Sequence, residues 1–271
     1  GMEETGTGVA GLRRSLVDGV LHLTIDRADV RNALDDGIVA GLISAVAEAG
    51  VDESVRVILL DGSGEDFCSG FDLVARNAPT DQRPRVGSIQ RRMPLQTNRL
   101  VQVMCATQVP IVCAVRGWAA GIGLGLALAS DFTVCADDAR FWAPFIGRGF
   151  TPDSGCTWLL PRRVGEVRAR RMLVLGEVVD GATAAEWGLV HASVDATVLQ
   201  AEVAGLVERL ASGPTVALGL TKSLLHHGRG LSLDDALREE SLAMELSSRS
   251  GDFKEGFAAF REKRAPRFEG R

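Results

Sequence analysis

Two short β-branched runs, Val20–Asp26 (VLHLTID) and Val55–Asp61 (VRVILLD), predict strands. Between them, residues 36–49 carry Ile38, Leu42, Ile43 and Val46 at helical spacing. Strand, helix, strand predicts a βαβ unit. The pattern recurs, with a strand at Pro110–Val115, a helix of small residues at Gly121–Ser130 and another strand at Asp131–Ala136. Residues 76–92 interrupt it. They are rich in Arg, Pro, Gln and Asp with little apolar periodicity, and predict a mobile surface loop leading into a helix over Ile89–Ala106. After Asp195 the pattern turns helical, over Leu199–Ala211, Thr215–His226, Leu233–Ser247 and Asp252–Lys263. These elements predict an α/β core over residues 10–198 and a C-terminal helical module over 199–271, amphipathic enough to need a partner surface.

With 271 residues and 46% hydrophobic content, the chain can bury a sizeable core. A formal charge of −5 argues against global attraction to nucleic acid or an anionic membrane, so local basic groups must carry any anion binding. Cys68, Cys105, Cys113, Cys135 and Cys156 are odd in number and lie in apolar segments. They form no metal-ligand spacing, which predicts no metal site and a reduced, cytoplasmic setting. The start, Gly1-Met2-Glu3-Glu4, has no basic or apolar region of a signal peptide, and Gly1 before Met2 reads as a tag-cleavage scar. The apolar run from Val109 to Ala129 raises a membrane question, but Pro110, Arg116 and several glycines break it, so a buried strand, turn and helix is the better expectation.

Two glycine-bearing segments can carry chemistry. Gly62-Ser63-Gly64-Glu65-Asp66-Phe67-Cys68-Ser69-Gly70-Phe71-Asp72-Leu73 leaves a predicted strand, and its glycines permit backbone N–H groups to approach a bound oxygen; an ordinary turn would read the same way. Arg116 to Asp131 follows another strand and opens a helix, whose start offers orphan N–H donors and the positive end of the macrodipole. A dinucleotide loop is the rival. It fails because Gly121, Gly123 and Gly125 make GxGxG, with Leu126 standing where the third glycine belongs. Close packing through small residues remains a compatible reading.

Taken together, these segments resemble the crotonase (enoyl-CoA hydratase/isomerase) superfamily. Arg27-Ala28-Asp29-Val30-Arg31-Asn32-Ala33-Leu34 matches its CoA loop, Phe67 to Leu73 its first oxyanion segment, Gly117 to Asp131 its second, and Glu262 to Phe268 its terminal helix. The resemblance implies a ClpP/crotonase-type ββα spiral core with C-terminal helices that build a trimer or a dimer of trimers. It implies an acyl-CoA substrate, with coenzyme A entering as part of the thioester and no permanently bound cofactor. By position, the N–H groups of Phe71 and Ile122 would form the oxyanion hole. Arg31, Ala33, Ser69, Asp72 and Leu73 would border the CoA nucleotide. Lys263, and with it Phe260, would reach a phosphate or adenine of its own or a neighbouring subunit's ligand; a solvated helix charge is the plain alternative for Lys263.

Hydration needs two carboxylates to orient one water, and the positions where the family places them are here Gly125 and Phe145. Neither transfers a proton. Instead the string Thr151-Pro152-Asp153-Ser154-Gly155 to Leu159-Leu160-Pro161-Arg162 looks like that of crotonase-family isomerases, including ring-1,2-epoxyphenylacetyl-CoA isomerases. There the aspartate moves a proton between two carbons of an oxyanion-stabilised dienolate. Asp153 could equally cap a helix over Ser154–Leu160, with Pro152 before it. Trp142, Phe145 and Phe150 are expected to line an acyl pocket, whose apolar walls would make Asp153 a stronger base. A nucleophilic carboxylate, as in the family's halobenzoyl-CoA dehalogenases, would want a histidine, and none stands between His22 and His191. Cys156 lacks one too, so packing is its default role. Double-bond isomerisation by Asp153 is therefore the expected activity. The alternatives are residual hydratase activity and acyl-CoA binding without catalysis.

Overall fold

The computed structural model describes residues 8–72 and 84–271. In chain order its strands are β1 (Leu12–Val17), β2 (Val20–Ile25), β3 (Val57–Gly62), β4 (Ile111–Val115), β5 (Trp118–Ala120), β6 (Phe132–Ala136), β7 (Arg140–Trp142), β8 (Val179–Asp180) and β9 (Ala192–Val194). One sheet runs β1-β2-β3-β4-β6-β9, antiparallel only between β1 and β2; a smaller one runs β5-β7-β8. The β1–β2 hairpin turns through Asp18 and Gly19, both at positive φ, the geometry an Asp-Gly pair favours in a two-residue turn. β1 has no counterpart in the sequence reading. Its Arg13-Arg14-Ser15 centre is polar, as an edge strand tolerates, and only Leu12 is buried.

Between β2 and β3 runs α1 (Asp36–Ala49), with the bounds its periodicity predicts. Asp35 caps it by accepting the Ile38 N–H, and Ile38, Val39, Leu42, Ala45, Val46 and Ala49 form its buried face. The single helix predicted over Ile89–Ala106 is instead two, α2 (Ser88–Arg92) and α3 (Thr97–Ala106). Pro94 lies between them, in a turn at Met93–Leu95, because it cannot donate into a continuous helix. The remainder of the expected loop, residues 76–83, lies outside the described residues.

The second oxyanion segment forms β5 and then α4 (Ile122–Ala129), every residue of which is buried. Two cations tie this central helix down. Arg163 donates to the carbonyls of Leu128 and Ser130 at its C-terminal end, both at 2.8 Å. Lys222 donates to the carbonyls of Met104 and Val109 and pairs with Asp131 at 2.7 Å. Arg163 lies in α5 (Cys156–Val164), which is followed by α6 (Glu166–Leu173), α7 (Gly181–Glu186), α8 (Leu199–Ala211), α9 (Thr215–Gly228), α10 (Leu233–Ser247) and α11 (Gly251–Glu262). Helix α8 packs on β3, β4 and β6 through Leu199, Val203, Val207 and Leu210. Lys222 ties α9 to the strands that lead to the site. Among the described residues no helix is long and apolar enough to cross a membrane.

Candidate active site

Three loops meet at the C-terminal ends of the central strands, and a buried asparagine joins two of them. Asn32, at φ 56°, accepts the Arg27 N–H at 2.8 Å and donates to the carbonyls of Ser63 (2.9 Å) and Asp66 (2.7 Å). Arg27 holds the same turn from outside, donating to the Ala33 carbonyl at 2.7 Å and pairing with Asp72 at 3.1 Å. Of the expected CoA-contacting residues, Arg31, Ala33, Ser69 and Asp72 are thereby brought together. The Ser69 N–H donates to the Arg31 carbonyl at 3.0 Å, and the Arg31 side chain is largely exposed. Leu73 lies outside the described residues. Lys263 ends α11 in a left-handed conformation; among the described residues no hydrogen bond or ion pair joins it to the CoA loop.

The first oxyanion loop is laced to the second. Phe67 and Cys68 donate to the carbonyls of Arg116 and Trp118, Ala120 returns a bond to Cys68, and the Asp66 carboxylate accepts the Trp118 N–H at 2.9 Å. Phe71 pairs with Leu34 as one rung of a parallel ladder: Leu34 donates to Gly70 and accepts from Asp72. In such a rung the flanked residue turns its own N–H to the other side. Next to Phe71 in the chain, Gly70 meets Gly121, an ideal Cβ on Gly121 standing 3.8 Å from the Gly70 Cα. Gly121 has φ 58° and ψ −119°, a conformation only glycine adopts readily. The next residue, Ile122, is 1% exposed, and among the described residues nothing accepts its N–H. A buried orphan donor at a helix start costs about 1–3 kcal/mol until a ligand oxygen satisfies it.

Asp153 is half-buried, and its Oδ1 accepts a hydrogen bond from the Ser154 hydroxyl at 2.7 Å. The helix expected to start at Ser154 starts at Cys156, and the N-cap position belongs to Gly155 at φ 74°. The reason is local: Ser154 is itself left-handed, at φ 57°, so the chain cannot enter the helix until two residues later. This turn lies on α4. An ideal Cβ on Gly125 would stand 2.6 Å from the Ser154 Cβ and 2.7 Å from its carbonyl oxygen. Gly125 follows Ile122 by three residues, about 4.5 Å along the helix axis. Asp66, Asn32 and Ser154 escaped the sequence reading. Asn32 and Ser154 adjoin recognised residues and Asp66 lies in the first glycine-bearing segment, but only the three-dimensional partners reveal their tasks.

The aromatic residues expected to line an acyl pocket make two ring contacts. Phe145, 4% exposed, packs edge-on against Phe150 with ring centres 5.9 Å apart, while Trp142 lies 5.7 Å from Trp118 and donates to the Gly176 carbonyl. Cys156 is fully buried, and burial, reinforced by the Asp153 charge, pushes its thiol up to about 12, which disfavours a nucleophilic thiolate. An open cavity of about 520 Å³ lies elsewhere, over β1, β2 and β3, and includes the His22–Asp61 pair. Neither oxyanion residue nor Asp153 lines it.

A family model described as Enoyl-CoA hydratase/isomerase matches residues 16–271. The chain is 37% identical to the 1,2-epoxyphenylacetyl-CoA isomerase of Escherichia coli (strain K12), over 93% of this chain and 96% of that protein. It is 32% identical to the crotonyl-CoA hydratase of Syntrophomonas wolfei, over 91% and 93%. Among solved structures, the enoyl-CoA hydratase of Mycobacterium smegmatis superposes with a TM-score of 0.87 at 28% identity, over 95% of this chain and 98% of that one.

Proposed function

The chain belongs to the enoyl-CoA hydratase/isomerase family, and on that premise we propose that it moves the double bond of an enoyl-CoA, with Asp153 as the acid/base. One observation carries this reading: the turn bearing Asp153 rests on Gly125, within a helical turn of the Ile122 N–H. A thioester oxygen held by the N–H groups of Phe71 and Ile122 would put the carbons on either side of its double bond in reach of one carboxylate. Asp153 would take a proton beside the carbonyl and return it two carbons away, while the two donors stabilise the dienolate between the steps. The hydratase alternative would need acids where Gly125 and Phe145 stand, and one position has no room while the other holds a buried ring.

Arg31, Ala33, Ser69, Asp72 and Leu73 are assigned to the CoA nucleotide, and Trp142, Phe145 and Phe150 to the acyl chain. Phe253, Phe257 and Phe260 of α11 and Leu233 and Leu242 of α10 are exposed. That apolar area supports assembly with further copies as a trimer or dimer of trimers, from which Lys263 could serve a neighbour's site.

The test is deuterium exchange from solvent into a panel of straight-chain and aryl 3-enoyl-CoA thioesters. The parent should exchange at the α or γ carbon. Asp153→Asn should bind as well but exchange at least ~10²-fold more slowly. An asparagine variant that exchanges at the parent rate refutes the assignment of Asp153, and a parent that binds thioesters without exchanging any of them supports the binding-protein reading instead.

A further inference from the structure

We propose that Ser154 is a positioning residue for the proton transfer, its buried hydroxyl orienting the Asp153 carboxylate from a left-handed turn wedged against Gly125. The inference rests on the reading of Asp153 as the acid/base. Ser154 is 1% exposed, and its Oγ lies 2.7 Å from Asp153 Oδ1. Its φ of 57° is a left-handed conformation that a serine adopts only at an energetic cost. Glycine would adopt this φ without that cost. Strain of this kind persists where the surroundings over-determine it, and here they do. The Ser154 backbone is pressed on Gly125 of α4, while an ideal Cβ on Gly155 would come within 3.2 Å of both Val101 of α3 and Leu159. The Asp153 carbonyl accepts the Cys156 N–H at 3.1 Å, closing the turn into α5. The hydroxyl of the serine so held points at the carboxylate.

The chemical consequence is specific. A buried hydroxyl donating to a carboxylate fixes which oxygen faces the substrate, and it favours the ionised form that can accept a proton. The bond is available only because residue 125 has no side chain. An acid at 125 and the Asp153–Ser154 turn compete for one volume, so this chain is committed to the single-carboxylate arrangement.

Two variants separate orientation from packing. Ser154→Ala keeps the backbone strain and loses the hydroxyl; Ser154→Gly loses both. Both should exchange deuterium into the fastest panel thioester about 10- to 100-fold more slowly, the usual weight of a hydrogen bond to a charged group. In both, the acid limb of the exchange rate, and the titration of the Asp153 carboxyl followed by ¹³C NMR, should move to higher pH. Their stabilities should diverge, with the glycine variant melting at or above the parent and the alanine variant at or below it. Parent-like limbs and rates in the glycine variant would make Ser154 a packing residue and overturn the proposal. Asp153→Asn, run alongside, keeps the two ideas apart: if it abolishes exchange while both serine variants match the parent, only the Ser154 inference fails, whereas parent-rate exchange in the asparagine variant removes both.

Discussion

Gly125→Ala places the smallest possible side chain where the fold leaves no room. An ideal Cβ would stand 2.6 Å from Ser154 Cβ, roughly 0.9 Å short of the ~3.5 Å at which carbon contacts become favourable, and 2.7 Å from a backbone carbonyl that cannot rotate away. Overpacking of this size costs about 1–3 kcal/mol. Alanine recovers ~1 kcal/mol from helix propensity, so the net loss is up to ~2 kcal/mol. Gly205 supplies the control. It lies inside α8 with nothing within 4 Å of an ideal Cβ, and alanine there should stabilise by the propensity term alone. The difference between the two variants therefore isolates the collision. At about 2–4 °C per kcal/mol, Gly125→Ala should melt clearly below Gly205→Ala in differential scanning fluorimetry. Relief requires the Asp153 turn to shift, and a displacement near 1 Å costs ~10²-fold in rate, so deuterium exchange should collapse in the first variant and hold in the second. Equal melting temperatures with parent-rate exchange in both would refute the packing argument.

The same collision predicts that Gly125→Glu combined with Phe145→Glu does not create a hydratase, although it restores both carboxylates; a crotonyl-CoA hydration turnover near ~10 per second would contradict this. Lys222→Met strands Asp131 and the carbonyls of Met104 and Val109. Since Asp131 keeps some solvent access, urea unfolding should show a loss of about 3 kcal/mol, the low end for a broken buried pair, and a loss under ~1 kcal/mol would sink the view that this pair locks α9 to the core. Glu255 is held near a pKa of about 2, first by its hydrogen bond from Arg264 and then by the Arg267 N–H. A depressed carboxylate stabilises above its unfolded pKa of roughly 4.3 and loses that contribution as pH falls through about 2, so protection of the Arg267 amide from hydrogen exchange should persist at pH 4 and vanish below pH 2.

The fold was legible wherever one local rule sufficed. Helix α1 announces itself by an apolar stripe and an Asp35 cap, and β2, β3, β4 and β6 by short runs rich in β-branched residues, whereas the short strands β5, β7, β8 and β9 have no counterpart in the sequence reading. Where two rules conflict, the sequence reading slipped. Apolar periodicity carried a helix through Pro94, whose missing donor breaks it in two. Asp153 has the composition of an N-cap, yet the residue after it turns left-handed and moves the helix start to Cys156. Serine is not a residue from which that conformation can be foreseen. The site divides similarly: motif positions single out Phe71, Ile122 and Asp153 as candidates, while the hydrogen bonds through Asn32 and Asp66 and the contact of Ser154 with Gly125 join segments far apart in the chain and leave no local pattern.

The GxGxG string shows what a glycine motif encodes once its neighbours are known. Successive helical residues turn by about 100°, so Gly123 and Gly125 face nearly opposite sides of α4. On one side an ideal Cβ at 123 would collide with the Cys68 carbonyl, in the first oxyanion loop; on the other, one at 125 would collide with Ser154, beside Asp153. Gly121, ahead of the helix, meets Gly70. Each glycine thus sets one spacing. The first brings the two loops together, the second seats the helix on the loop at Cys68, and the third admits the turn that carries the carboxylate. A dinucleotide loop uses its glycines to approach a pyrophosphate. This helix uses its own to lie between the loop of Phe71 and the turn of Asp153, with the buried N–H of Ile122 at its N-terminal, electrically positive end, and that placement is how a stretch of eight buried residues without one polar side chain comes to lie at the centre of the proposed site.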